Sequence, residues 1–335
     1  MAAPVRPREA GVEARKVLVT DYTWANTDVE AAVLAEVGAE LVHAQAGEED
    51  ELIDLVHDCE GILTCFKQVT PAVVRAGEQL RVIGRYGIGT DNIAVDVATE
   101  RGIVVANVPE YCADEVAEHA LALMFSLVRG VPRYDRAVRA GDWSLATGLP
   151  TRRIAGTTLG IVGHGPIGRA LEARARGLGM EVLVHTRTTG IPLLDLAAAA
   201  DVVSLHVPAT RETECLVDRA FLAAMKPSSY LINCSRGALV DHEALLAALR
   251  AGEIAGAGLD VFTPEPLAPE HPLLALETVV ATPHTAFYSE QSVQALARQA
   301  AGNVADVLDG RRPAHVVNPE VLEAGAERGR SAGLR

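Results

Sequence analysis

The chain has 335 residues, 49% of them hydrophobic and 22% charged, which suits a globular protein with enough apolar material for two cores. Thirty basic against 44 acidic residues give a net charge of −14, which argues against general nucleic-acid binding and against docking on an anionic membrane surface. No apolar run reaches bilayer length, and five cysteines without a C-x-x-C pair point to reduced thiols in a cytoplasmic protein with no metal site.

Residues 1–15 are rich in Pro and Arg, lack the apolar segment of a secretory signal, and read as a disordered N-terminal tail. From Lys16 onward, apolar strands alternate with amphipathic helices. Strands are predicted at Lys16–Thr20, Glu40–His43, Gly61–Cys65 and Arg81–Gly84, with helices at Asp28–Val37, Asp50–His57 and Pro71–Ala76. Helices of about ten residues between strands imply parallel βαβ units, hence a first α/β domain. Gly84-Arg-Tyr-Gly-Ile-Gly89 follows its strand without opening a long helix, so it reads as a loop whose backbone approaches something closely. Asn107-Val-Pro109 ends this domain, and the apolar helix Asp114–Arg129 leads into the next, past a loop over Trp143–Arg153.

The second domain opens on the stretch around which the chain is organised, Thr158-Leu-Gly-Ile-Val-Gly-His-Gly-Pro-Ile-Gly-Arg-Ala170. A strand runs into Gly163-x-Gly165-x-x-Gly168 and then into the helix Arg169–Gly177, which is the context a dinucleotide fingerprint requires. Gly163 permits the tight turn, Gly165 lets backbone approach a pyrophosphate, and Gly168 lets helix pack on strand. Pro166 sits where a first helical residue belongs, and Ile167 follows it at the helix N-terminus that faces the phosphates. Further strands are expected at Glu181–Thr186, Asp201–Val207, Ser229–Cys234, Ala255–Leu259 and Thr278–Ala281. Helices are expected at Asp218–Met225, His242–Ala251 and Ser289–Leu308. The fold class is therefore α/β with two doubly wound parallel-sheet domains. Residues 16–108 and 303–322 form one, residues 109–302 the other, and residues 323–335 a second disordered tail.

Functional groups in such sheets collect beyond the carboxyl ends of strands. Three loops of the second domain carry unusual polar residues there: Asn233-Cys-Ser-Arg-Gly237, Asp260-Val-Phe-Thr-Pro-Glu-Pro266 and Thr282-Pro-His-Thr285. With Gly84-Arg-Tyr-Gly-Ile-Gly-Thr-Asp-Asn92, the fingerprint and Ser204-Leu-His-Val-Pro208, in that order, the chain resembles the D-2-hydroxyacid dehydrogenases. The resemblance runs from about Arg81 to Leu308. It implies Arg236, Glu265 and His284 as the catalytic set, and a Rossmann-like cofactor domain inserted into a flavodoxin-like lid domain built from both chain ends. It implies that Arg85, Tyr86, Gly87 and Ile88 receive the substrate carboxylate through backbone N–H groups, with Arg236 and His284 completing the substrate site. The Arg85 side chain reads either as a partner for a second anionic group on the substrate or as a surface charge at the loop edge. Asp260 would bind the nicotinamide amide. Val207 and Cys234 would touch the cofactor, as would their neighbours Pro208, Thr213 and Ser235, together with Arg236, His284 and Ala286. A homodimer acting on a small 2-hydroxy or 2-oxo acid, closing on hinges near Asn107–Pro109 and Gly302, is what the family implies.

The residue types suit that chemistry. Hydride transfer at C2 requires a proton at the oxygen, and His284 beside Glu265 is the natural acid/base. Arg236 presents a planar fork to a carboxylate. Four features depart from the family pattern. The usual acid after the second cofactor-domain strand is replaced by Thr186 and Arg187, and the fingerprint Arg by Pro166. The crossover Thr188–Ala200 is short, which predicts a missing helix, and Ala94 stands for a common Asp. Thr186 and Arg187 suit a 2′-phosphate, so NADP(H) is expected ahead of NAD(H). Thr282-Pro-His-Thr-Ala-Phe-Tyr-Ser-Glu-Gln-Ser292 also resembles the C-terminal-binding-protein corepressors, so a cofactor-sensing scaffold is the alternative reading. A dehydrogenase for an unusual acid such as a phosphonate is a third.

Overall fold

In the computed structural model, residues 14–148 and 150–323 are described. The expected tails fall outside this range except at Arg15, which opens the first strand, at residue 14 before it, and at Glu323. Two units form, one from residues 14–111 and 290–323, the other from residues 112–289.

The first unit holds β1 (Arg15–Val19), α1 (Asp28–Ala35), β2 (Ala39–His43), α2 (Glu49–Val56), β3 (Cys59–Thr64), α3 (Pro71–Ala76), β4 (Val82–Arg85), α4 (Val95–Glu100) and β5 (Val104–Ala106). Its strands are all parallel in the order β2-β1-β3-β4-β5, the flavodoxin-like arrangement. Val17, Leu18, Ile62, Leu63 and Ile83 are wholly or almost wholly buried, because helices cover both faces of a parallel sheet and its strands therefore read as continuous apolar runs. The sequence pattern assigns no element to residues 93–106, where α4 and β5 are too short to show a period.

The second unit holds α5 (Ala113–Val128), α6 (Val131–Arg139), β6 (Thr158–Val162), α7 (Pro166–Gly177), β7 (Glu181–His185), α8 (Leu193–Ala199), β8 (Val202–Leu205), α9 (Arg219–Ala224), β9 (Tyr230–Asn233), α10 (His242–Ala251), β10 (Gly256–Leu259) and β11 (Val279–Ala281). Its parallel sheet runs β7-β6-β8-β9-β10-β11. The short crossover keeps a helix: α8 starts after Pro192 and carries the chain from β7 over β6 to β8. Its alanine run packs into the core, where Leu196, Ala197 and Ala200 are buried. The expected loss of a helix is therefore not seen, and among the described residues β7 is an edge strand of this sheet.

The last helix, α11 (Glu290–Leu308), packs on α1, β3, β4 and β5. The chain thus returns to the first unit at the start of this helix rather than at Gly302. The reason is packing: its buried face runs from Ser292 to Leu308, with Leu296, Ala300, Ala301 and Val304 in the first unit's core. Among the described residues no helix is long and apolar enough to cross a membrane.

Candidate active site

The second sheet reverses direction between β6 and β8, since the chain first extends outward to β7 and then crosses back. Ligand crevices form at the carboxyl ends of the strands at such a switch point, and the fingerprint sits there. Gly163 has φ +98°, and a Cβ on it would lie 2.2 Å from His206 O in the loop after β8. A Cβ on Gly168 would lie 2.3 Å from Gly163 O. Both glycines are therefore dictated by the protein's own packing. Gly165 differs: apart from its chain neighbours and the adjoining helix backbone, no atom lies within 4 Å of its would-be Cβ, so the space beside it is open to a ligand. Pro166 is the first residue of α7, Ile167 the second, and the first helical bond runs from Arg169 N to Gly165 O at 3.0 Å. The residues present fit a dinucleotide pyrophosphate at this helix N-terminus. The turn is braced from behind by His164, whose Nε2 lies 2.6 Å from Glu172 Oε2 on α7.

Beyond β7 the chain makes a tight turn. Thr186 Oγ1 contacts both Thr189 O and Thr189 Oγ1 at 2.8 Å, and Thr186 N donates to Thr189 O at 2.9 Å. The Thr186 hydroxyl thus serves its own turn, which leaves Arg187 exposed at the tip. In the loop after β8, Val207 is half-buried and Pro208 exposed. Thr213 Oγ1 donates to Pro208 O at 2.7 Å and fixes that loop.

Arg236, Glu265 and His284 come together at the other end of the same sheet edge. Gly237 lets the Arg236 loop lie against Phe262, because a Cβ there would sit 2.1 Å from the Phe262 carbonyl carbon. Arg236 Nη1 donates to Ser235 O at 2.7 Å, Asn233 Nδ2 donates to Arg236 O at 2.8 Å, and Ser235 Oγ donates to Leu205 O at 2.7 Å. Cys234 is buried, which pushes its thiol well above its ordinary value, so it offers a neutral wall. Glu265 Oε1 accepts from Phe262 N at 2.7 Å, and Glu265 Oε2 lies 2.7 Å from His284 Nδ1. Burial raises the Glu265 pKa, but the His284 hydrogen bond and charge, the Phe262 N–H and the Arg236 charge outweigh it. The net position is below the ordinary carboxylate value, so Glu265 is an anion beside the imidazole.

His284 has φ +51°, a left-handed conformation that few non-glycine residues adopt. Asp260 holds it there. Its backbone O accepts from His284 N at 2.7 Å. Its carboxylate accepts from Thr282 Oγ1 at 2.6 Å, Thr285 N at 2.9 Å and Ala286 N at 2.9 Å. Asp260 is 1% exposed and both its oxygens are engaged, so its visible work is to shape the turn that carries His284. A persistent strained residue in such a site is a pointer to function.

Two residues here carry no signal in the sequence reading. His119 on α5 lies 2.9 Å from Thr282 Oγ1 through Nε2. Thr282 gives its single proton to Asp260, so His119 Nε2 must donate, and this fixes its tautomer. His206 lies beside the fingerprint, with Nε2 2.8 Å from Ser204 Oγ. The residue is half-buried, but its Nδ1 is sealed from solvent and without a protein partner among the described residues. Burial lowers its pKa to about 4, so it is neutral. His119 hides in a helix-period apolar pattern, and His206 in the strand end Ser204–Pro208, where the resemblance points to Val207 and Pro208 alone.

In the first unit, the glycine loop after β4 is held by hydrogen bonds. Tyr86 N donates to Thr64 O at 2.8 Å and Gly87 N to Arg85 O at 3.0 Å. Of the N–H groups expected to receive a carboxylate, Tyr86 and Gly87 are therefore engaged, and among the described residues Ile88 N–H and Gly89 N–H are not. Asn107 Nδ2 donates to Ile88 O at 2.7 Å and Val108 N to Gly87 O at 3.0 Å. The Arg85 guanidinium, expected at the loop edge, is 7% exposed and donates into its own loop, to Gly89 O at 2.8 Å and to Tyr86 O. Gly87, φ +137°, has no Cβ to obstruct that guanidinium.

Comparisons with known proteins bear on the family and the fold. Residues 121–286 match the family model described as D-isomer specific 2-hydroxyacid dehydrogenase, NAD binding domain. A glyoxylate reductase of Korarchaeum cryptofilum (strain OPF8) is 40% identical over 287 residues, covering 81% of this chain and 86% of that protein. A D-3-phosphoglycerate dehydrogenase of Synechocystis is 39% identical over 82% of this chain, but the chain spans only 52% of that relative's length. The crystal structure of an NADPH-dependent glyoxylate/hydroxypyruvate reductase from Sinorhizobium meliloti, in complex with NADP and malonate, superimposes with a TM-score of 0.81. That protein is 31% identical, and the match covers 91% of this chain and 97% of that one.

Proposed function

Since the chain belongs to the D-isomer-specific 2-hydroxyacid dehydrogenase family, we propose that it interconverts a small D-2-hydroxy acid and its 2-oxo acid, using NADP(H) ahead of NAD(H). The observation that carries the reading is the 2.7 Å His284–Glu265 pair, set on the same sheet edge as a fingerprint whose Gly165 faces open space. A bound nicotinamide cofactor supplies or accepts the hydride at the substrate C2. The protein's part is the proton and the placement. Glu265 holds Nδ1, so His284 exchanges its proton with the substrate oxygen at Nε2, and the carboxylate stabilises the imidazolium form. Arg236 meets the substrate carboxylate with two parallel N–H groups and draws charge from the adjacent carbonyl.

The preference for NADP(H) rests on the absent acid after β7 and on the exposed Arg187 that replaces it. The Sinorhizobium meliloti relative is a protein solved with NADP. A homodimer is the expected assembly. Helix α6 buries none of its residues, and Trp143 and Leu145 beyond it are 87% and 83% exposed, which gives a second copy an apolar surface to cover.

The deciding experiment follows reduced-cofactor consumption with a panel of small 2-oxo acids, each tried with NADPH and NADH. Turnover of at least one acid, with the D-hydroxy acid as product, is expected. No turnover with either cofactor would remove the enzyme reading and leave the scaffold alternative.

A further inference from the structure

We infer that α5 braces the acid/base turn, with His119 and Glu115 as positioning residues that hold the segment Thr282–Ser289, and through it His284, from one face of the helix. The inference rests on the dehydrogenase reading of the His284–Glu265 pair and concerns what keeps that pair in place.

The segment meets α5 at both of its ends. His119 Nε2 lies 2.9 Å from Thr282 Oγ1, and Ser289 Oγ donates to Glu115 Oε1 at 2.7 Å. Residues four apart on a helix share a face, so the two bonds grip the segment on either side of His284. The first bond is one link of a chain. Thr282 Oγ1 gives its only proton to Asp260 Oδ1 at 2.6 Å, so His119 Nε2–H donates to the hydroxyl oxygen. Hydrogen bonds in line polarise one another, and the carboxylate at the end of this line strengthens both. His119 Nε2 is itself 3.6 Å from Asp260 Oδ1. Asp260 in turn accepts from His284 N, Thr285 N and Ala286 N, the first through its backbone O and the others through its carboxylate. A donor on α5 is thereby linked to three successive N–H groups that fix the left-handed turn of His284.

The support behind this chain is rigid. A Cβ on Gly258 would lie 2.9 Å from Leu123 Cβ, so α5 rests directly on β10, the strand that runs into Asp260. Val116, Ala117 and Ala120, the neighbours of His119 on α5, are buried. Helix and strand thus make one frame, and His119 spans it from the helix to the turn. Placement matters here because a shift of about 1 Å at an acid/base group costs on the order of a hundredfold in rate. The role needs no change of charge. Nε2–H donates from this neutral tautomer and from imidazolium alike, which separates His119 from the acid/base itself.

Steady-state reduction of the best 2-oxo acid, with active enzyme counted by fluorescence titration of the cofactor, tests this in wild type and in the His284→Asn background. His119→Leu should lower the wild-type kcat about tenfold or more, while KM for the oxo acid changes less than about twofold. His119→Gln, which returns an N–H donor at similar reach, should recover most of that loss. Ser289→Ala, which removes the second bond, should lower kcat severalfold. In the His284→Asn background both losses should shrink to less than about twofold, because no acid/base is left to place. A wild-type kcat in His119→Leu would overturn the inference, as would a His119→Gln variant no better than His119→Leu. Losses of equal size in both backgrounds would overturn it too, since contacts that serve stability alone do not depend on His284. Should His119→Leu fail to fold, Ser289→Ala and His119→Gln carry the same comparison. Wild-type enzyme that turns over no 2-oxo acid with either cofactor would instead overturn the dehydrogenase reading, and the inference with it.

Discussion

Both sheets of this protein are wound the same way, β2-β1-β3-β4-β5 in one unit and β7-β6-β8-β9-β10-β11 in the other, and each sends a glycine-rich turn off the end of a strand. Their carboxyl edges have nonetheless diverged. On the second sheet the polar groups are supported from behind and held at the surface. Asp260 shapes the turn of His284, Glu265 holds its ring, and Gly165 faces open space. On the first sheet the polar groups turn inward, with Arg85 bonded to its own loop and Asp21 closing a ring of N–H groups. The same architecture thus gives one edge whose polar groups are held at the surface and one whose polar groups are bonded within the protein. Function lies in the loops, not in the winding order.

The sharpest way to break the comparison is to remove the acid/base from the second edge. His284→Asn should lower kcat by roughly a hundredfold or more while cofactor affinity, measured by fluorescence titration, changes little. Near-normal turnover would take the chemistry away from this edge. A smaller loss is expected from Arg187→Ala, about 1.5–3 kcal/mol in kcat/KM with NADPH and little with NADH. Equal losses with both cofactors would mean that Arg187 does not read a 2′-phosphate.

The glycines separate packing from binding. Gly163→Ala should destabilise the fold by more than about 1 kcal/mol, because φ +98° and the 2.2 Å approach of His206 O both oppose a Cβ. Gly165→Ala should keep its melting temperature and lose cofactor affinity instead. The reverse pattern in melts and titrations would exchange the two roles. The smallest expected effect is acidic. His206, neutral in the fold with a pKa of about 4, contributes stability that is present above pH 6.5 and is lost as pH falls toward 4. His206→Gln should therefore lose several degrees less in melting temperature than wild type between pH 7 and pH 4.

Much of this was legible because it depends on short-range constraints. Strand–glycine–helix order at residues 158–177, apolar runs such as Lys16–Thr20 and the strand-end placement of Arg236, Glu265 and His284 follow from local periodicity and from which conformations glycine and proline permit. The crossover beyond β7 was half legible. Its shortness shows in the chain length, but the survival of α8 depends on a core that receives Leu196 and Ala197. Helix α4 and strand β5 escaped notice because elements of six and three residues complete no period that a pattern could reveal.

By itself, then, the sequence determined the two-sheet α/β class, the fingerprint and the strand-end loops that carry Arg236, Glu265 and His284, since each is written in a local pattern. Only the tertiary structure decided how those residues are used. Arg85 reads as a cation at a loop edge, yet packing turned it into its own loop, where only three-dimensional proximity supplies the acceptors Tyr86 O and Gly89 O. His119, on α5, reaches Thr282 only because folding brings together residues 163 positions apart. The destination of α11 was decided in the same way. Its apolar face is visible in the chain, but the surface it covers exists only once β3, β4 and α1 have formed.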